Sequence, residues 1–129
     1  MRKGILILAV AIVTMVAGCG LTCELKYSVK ESERIAYAFV LQSPTYRFDG
    51  IQGTLELVRT DTLRCPGCWQ FTYRFQSSHA GYGDRTGRML AQVITPHECR
   101  ITVQEYQVTK AIMDERWDML TQSFISGAG

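Results

Sequence analysis

Cys65-Pro66-Gly67-Cys68 is the segment whose residue types and spacing most directly permit chemistry. Proline at the second position and glycine at the third are the preferences of a type II turn. Such a turn holds its end Cα atoms under ~7 Å apart, inside the ~4.4–6.8 Å range of disulfides. A Cys65–Cys68 bridge would therefore staple a hairpin. Two other chemistries use the same pair. As a redox dithiol, one thiolate attacks a disulfide and the other resolves it. That use favours a helix N-terminus, whereas the alternating residues from Trp69 onward read as a strand. As half of a zinc site the pair needs Cys99 with His97 or His79, but no second Cys-x-x-Cys is present and His97-Glu98-Cys99 is cramped.

The stretch His79-Ala80-Gly81-Tyr82-Gly83-Asp84-Arg85-Thr86-Gly87-Arg88 is the second candidate. Its glycines allow positive φ and close backbone approach. Tyr82, Asp84, Arg85 and Thr86 offer a polar cluster to a ligand or partner. The same residues also suit an irregular hairpin connection, with Asp84 capping turn amides and Arg85 pairing with a carboxylate. The stretch lacks the Gly-Lys-Ser/Thr of a phosphate loop and the acidic ligands of an EF-hand. No nucleophile–base set stands out. Ser77, Ser78 and His79 are neighbours whose side chains alternate between strand faces, and no Gly-x-Ser-x-Gly elbow occurs. Asp114, Glu115 and Asp118 read as a solvated face beside Trp117. Catalytic residues, resident metal and cofactor are all expected to be absent.

The first twenty residues carry an address. Met1-Arg2-Lys3 is a basic start and Gly4 to Val16 an apolar run, followed by Val16-Ala17-Gly18-Cys19. This order is that of a secretory signal, and its end resembles the lipobox of prokaryotic lipoproteins. The resemblance implies cleavage after residue 18 and diacylation of Cys19 on sulfur, which would anchor the chain to the outer side of the cell membrane. Val16 stands where leucine is commonest. The rival reading is an uncleaved anchor, since Gly4 to Thr22 is 19 residues against the ~20 that span a bilayer. With Cys19 lipidated, Cys23, Cys65, Cys68 and Cys99 form an even set in an oxidising compartment. Pairing Cys65 with Cys68 leaves Cys23 for Cys99. The expected organisation is a signal peptide over 1–18, a tether over 19–27 and a single domain over 28–125.

The domain must position these groups. The 129-residue chain carries 14 Lys and Arg against 12 Asp and Glu, and removing Arg2 and Lys3 leaves 12 against 12. That balance gives no electrostatic footprint for nucleic acid. Ser28-Val29-Lys30-Glu31 has capping-box spacing, and it predicts a helix over 29–42 with Ile35, Ala38, Phe39 and Gln42 on its apolar stripe. Strands are predicted over 53–62, 69–76, 89–94, 99–104 and 108–113, with a closing helical piece over 114–122. In 69–76 the aromatics Trp69, Phe71, Tyr73 and Phe75 alternate with polar residues, the mark of a sheet with one buried face.

The expected fold is α+β: an N-terminal helix packed on a curled antiparallel sheet of four to five strands. Its element order is similar to cystatin-like and PepSY-like domains, although Gln104-Glu105-Tyr106-Gln107-Val108 does not reproduce the cystatin Gln-x-Val-x-Gly wedge. The mature chain otherwise resembles small lipoproteins of bacteria and archaea, a category that carries no activity with it. The expected function is a non-catalytic, lipid-anchored surface domain that binds an unknown protein partner or stabilises an envelope assembly. The alternatives are a regulator or inhibitor of extracytoplasmic proteases, and a thiol or metal-binding protein using Cys65 and Cys68.

Overall fold

The computed structural model describes residues 26–127. Helix α1 (Val29–Gln42) and the short helix α2 (Pro44–Asp49) precede six strands: β1 (Glu56–Thr62), β2 (Cys68–His79), β3 (Gln92–Gln104), β4 (Gln107–Met113), β5 (Trp117–Asp118) and β6 (Ser123–Phe124). The strands form one open antiparallel sheet in chain order. The fold is α+β, a helix on an antiparallel sheet. Among the described residues no helix is long and apolar enough to cross a membrane. Cys19, Cys23 and the leader over 1–18 lie outside the described residues.

The core lies between α1 and one face of the sheet. Trp69, Phe71, Tyr73 and Phe75 of β2 are buried there with Cys99, Ile101 and Val103 of β3, and with Ala111 and Met113 of β4. Full burial of each large apolar side chain contributes roughly 1.5–3 kcal/mol. Tyr73 keeps its hydroxyl satisfied by donating to the Glu33 carbonyl of α1 at 3.1 Å.

The helix meets this face along Ser32, Ala36 and Val40, with Ile35 and Phe39 partly buried beside them. The expected stripe is thus rotated, and Ala38 and Gln42 point to solvent. Small side chains at Ser32 and Ala36 let the helix lie close to the aromatic sheet. The cap is half of the expected box: Ser28 Oγ accepts from the Glu31 amide at 3.2 Å. The Ser28 amide donates to the Tyr106 hydroxyl at 2.8 Å instead, and Glu31 pairs with Arg34. Tyr27, expected in the tether, already belongs to the domain. Its ring packs edge-on against Tyr106 at 4.9 Å.

The strands correct the sequence reading in two places. The segments predicted over 89–94 and 99–104 are not separate strands: one long strand over Gln92–Gln104 runs through Pro96, and residues 89–91 lie outside it. Pairing with β4 begins only at Cys99, so Pro96 sits where β3 has a free edge, and there a missing N–H is tolerated. The closing segment is no helix. Asp114 and Glu115 adopt positive φ of 54° and 61°, which turns the chain back so that β5 pairs with β4 and β6 with β5. That turn accounts for a sheet of six strands rather than four to five.

The Cys65–Cys68 disulfide is present, with Cα atoms 5.5 Å apart. Gly67 has φ of 73°, as a type II turn requires. A Cβ there would lie 2.7 Å from the Tyr27 ring, so glycine is needed twice over. Cys99 forms no disulfide among the described residues and is fully enclosed. Burial, aided by the charges of Asp114 and Glu98, pushes its thiol well above the usual range, and a thiol held protonated is a poor nucleophile. Cys99 is therefore expected to resist alkylation in the folded chain and to react once unfolded, as read by peptide mass. Label in the folded chain would contradict the burial. Absence of label in the unfolded, unreduced chain would place Cys99 in a disulfide with Cys23.

Candidate functional site

The glycine-rich stretch folds against α2, and its four candidate residues separate into two pairs. Arg85 and Tyr82 point inward; Asp84 and Thr86 face outward. Arg85 is 1% exposed. Nε donates to the Gly83 carbonyl at 3.0 Å, and Nη1 to the carbonyls of Ala80 and His79 at 2.9 and 3.3 Å. Nη2 donates to the Thr45 carbonyl at 3.4 Å and to Asp49 Oδ1 at 2.8 Å. A guanidinium has five N–H donors, and each finds an acceptor here. The Phe48 ring stacks under the cation at 4.7 Å. Asp49 Oδ2 takes the backbone and ring N–H groups of His79 at 2.8 and 3.0 Å. Gly81 makes room for this arrangement, since a Cβ there would lie 2.9 Å from Arg85 Cδ. Arg85 is therefore a latch that fixes the loop to α2, and it is not available to a ligand.

A second buried network lies beside the first. Ser77 Oγ is 3.1 Å from His97 Nε2, and His97 Nδ1 is 2.7 Å from Asp114 Oδ2, which also accepts from the Tyr82 hydroxyl at 3.0 Å. These residues come from β2, β3, the β4–β5 turn and the glycine loop. Sequence reading missed the set and assigned Asp114 to a solvated face, because only the β2–β3 register and the positive φ at Asp114 bring its members together. The distances are those of a Ser–His–Asp relay, but the roles are not. A nucleophilic serine donates to the imidazole and faces substrate. Ser77 is fully enclosed, and its hydroxyl donates to the His79 carbonyl at 2.8 Å. The network ties β2, β3 and the loop together. Burial pushes the Asp114 carboxyl upward, but hydrogen bonds from His97, the Glu98 amide and Tyr82 outweigh it and hold it below the usual carboxylate range. The Tyr82 phenol is pushed up to about 12 by burial and by the Asp114 charge.

Between α2 and the loop lies a solvent-open cleft of about 540 Å³ lined by Pro44, Arg47, Phe48, Asp84 and Thr86, and His97 and Asp114 border a second open cleft of about 490 Å³. Asp84 Oδ1 accepts from the Thr86 amide and hydroxyl, and these bonds hold its carboxyl below the ordinary value. Arg47 has no carboxylate within ion-pair distance among the described residues. The first cleft thus presents an anion, a cation, a hydroxyl and an aromatic ring on a wall that the latch keeps rigid. The Cys65–Cys68 pair lies elsewhere, on the β1–β2 turn. Its sulfurs are bonded to each other and it lies at no helix N-terminus, so it has neither the free thiolates of a zinc site nor the dipole of a thioredoxin-like one.

Comparison of the chain with protein-family models, with curated proteins and with solved structures gave no match.

Two outcomes follow from the networks. Removing one partner of a buried pair leaves an uncompensated charge, at about 3–5 kcal/mol. Arg85→Met is therefore expected to lower the chemical-denaturation stability by that amount, while Asp84→Ala on the exposed wall leaves it nearly unchanged. Equal effects would contradict the latch. Because the folded Asp114 carboxyl lies below its unfolded value, its contribution is present above about pH 4 and is lost as the pH falls further. Melting temperatures between about pH 5 and about pH 3 should fall less steeply in Asp114→Asn than in the parent chain. Parallel profiles would overturn the assignment.

Proposed function

We propose that the chain is a membrane-anchored lipoprotein, lipidated at Cys19, whose α+β domain faces outside the cytoplasm and binds a protein partner without catalysis. The Cys65–Cys68 disulfide carries this reading. Stable disulfides belong to oxidising compartments, which is where the basic start, apolar run and lipobox-like Val16-Ala17-Gly18-Cys19 would deliver the chain. A non-catalytic role is supported by the polar clusters themselves. The buried ones are fully committed to holding the loop, and Ser77 has no route to a substrate. The surface we assign to the partner is the cleft between α2 and the glycine loop, where Arg47, Asp84 and Thr86 surround the Phe48 ring.

Growth of expressing cells with a clickable fatty acid or a labelled glycerol precursor tests the anchor. The parent chain is expected to take up label and fractionate with membranes, and Cys19→Ala to take up none. Unlabelled parent protein, or label retained by Cys19→Ala, would overturn the lipoprotein assignment.

A further inference from the structure

Strand β3 has neighbours on both sides over only part of its length. Its ladder with β2 runs from Gln104 to Gln92, whereas β4 pairs with it only from Gln104 to Cys99 and then turns away. At that point the Glu98 amide donates to Asp114 Oδ1 and the Asp114 amide to the Glu98 carbonyl, both at 2.8 Å. Beyond Glu98, no strand lies on that side of β3 among the described residues. Where β4 leaves, the cleft of about 490 Å³ opens, lined by Arg74, Pro96, His97, Glu98, Asp114 and Glu115.

Two features distinguish this edge. The first is that it is unguarded. Free strand edges ordinarily carry charged side chains, because a bare edge is a template for pairing with another chain. The run from Met89 to Pro96 holds no charged residue, and its apolar side chains face water: Val93 is 53% exposed, Ile94 65% and Met89 100%. Pro96 and a register irregularity opposite Ser77 to His79 interrupt it. The second feature is the charge at its two ends. Arg88 precedes the run and has no carboxylate within ion-pair distance among the described residues. The cleft at the other end holds the carboxylates of Glu98, Asp114 and Glu115 against Arg74 and the His97 imidazole.

We propose that a second copy of this chain occupies the edge, its own β3 adding antiparallel to this one across a two-fold axis. Centred on Val93, the pairing sets Ile94 opposite Gln92 and Arg88 opposite Glu98 of the second copy. Each basic end then meets the acidic end of its mate, and opposite charges directly across a strand pair are stabilising. The neutral run pairs with itself, so Val93, Ile94 and Met89 leave water together. A two-fold contact of this kind is self-complementary and closes at two chains. The strand of an unrelated protein would have to bring both a neutral run and a basic end, which this chain already carries. With about eight residues a side against the ~20–30 of a standard interface, the dimer is weak and forms with concentration. It uses neither Cys19 nor the α2 cleft, so it stands independently of the lipoprotein reading.

The test is sedimentation velocity of the full chain in non-ionic detergent over a dilution series, with amide exchange of Val93, Ile94 and Thr95 read at both ends of the series. The sedimenting mass is expected to rise from one chain to two with concentration, and those amides to gain protection in step. Ile94→Lys, at a position more than half exposed, should raise the dissociation constant about tenfold or more and leave the melting temperature unchanged. Arg88→Glu and Glu98→Arg should each weaken the dimer, and the two together should restore it, which a merely structural role of either residue would not produce. A chain that stays single at every concentration, a dimer indifferent to Ile94→Lys, or charge changes that fail to compensate would overturn the proposal. So would a single chain whose edge takes up the strand of another protein instead.

Discussion

The long antiparallel ladder between β2 and β3 is the constraint on which the rest of the domain depends. It runs without interruption from Cys68 opposite Gln104 to Ser77 opposite Thr95. Because strand side chains alternate, that one register puts every aromatic of β2 on the same face as Cys99, Ile101 and Val103. A slip by one residue would send the whole set into water. The helix has one place to go, against this face, and its small residues Ser32 and Ala36 let it settle there.

The register also explains where the polar chemistry sits. Beyond Phe75 the buried positions change from apolar to Ser77 and His97, at the end of the sheet that α1 does not cover. Their hydrogen-bonding groups need partners, and Asp114, Tyr82 and the His79 carbonyl provide them. Arg85 closes the same end with all its donors matched, so a loop rich in glycine becomes a fixed wall. The opposite face of the ladder carries Gln70, Arg100, Thr102 and Lys110 and is left open to solvent. A buried latch, an outward cleft and an open polar groove thus follow from one pairing of strands.

Much of this was legible in the residues. The aromatic alternation of 69–76, the helix over 29–42 and the Pro-Gly turn between Cys65 and Cys68 are local signals, and each appears as read. Local signals failed where distant groups decide. The continuity of the strand between 94 and 99 was not read, because the free edge that tolerates Pro96 there is a property of the sheet. Residues 114–122 looked helical because nothing near Asp114 announces that its carboxylate is held by His97 and the Glu98 amide. The α2 helix was missed behind Pro44, which stands at its first turn, where proline is accepted. In the glycine loop, residue types alone made Arg85 and Asp84 equal candidates. Only the position of Asp49, 36 residues away, turns one inward and leaves the other in the cleft.

Native-state amide hydrogen exchange tests the central role of the ladder most directly. Amides at the centre of β2 and β3, around Phe71 and Ile101, should exchange only through global unfolding. Those of α1, the short β5–β6 pair and the outer edge of β1 should exchange sooner through smaller openings. Protection of α1 that outlasts the β2–β3 amides would contradict the account, because the helix would then hold together without the sheet said to position it.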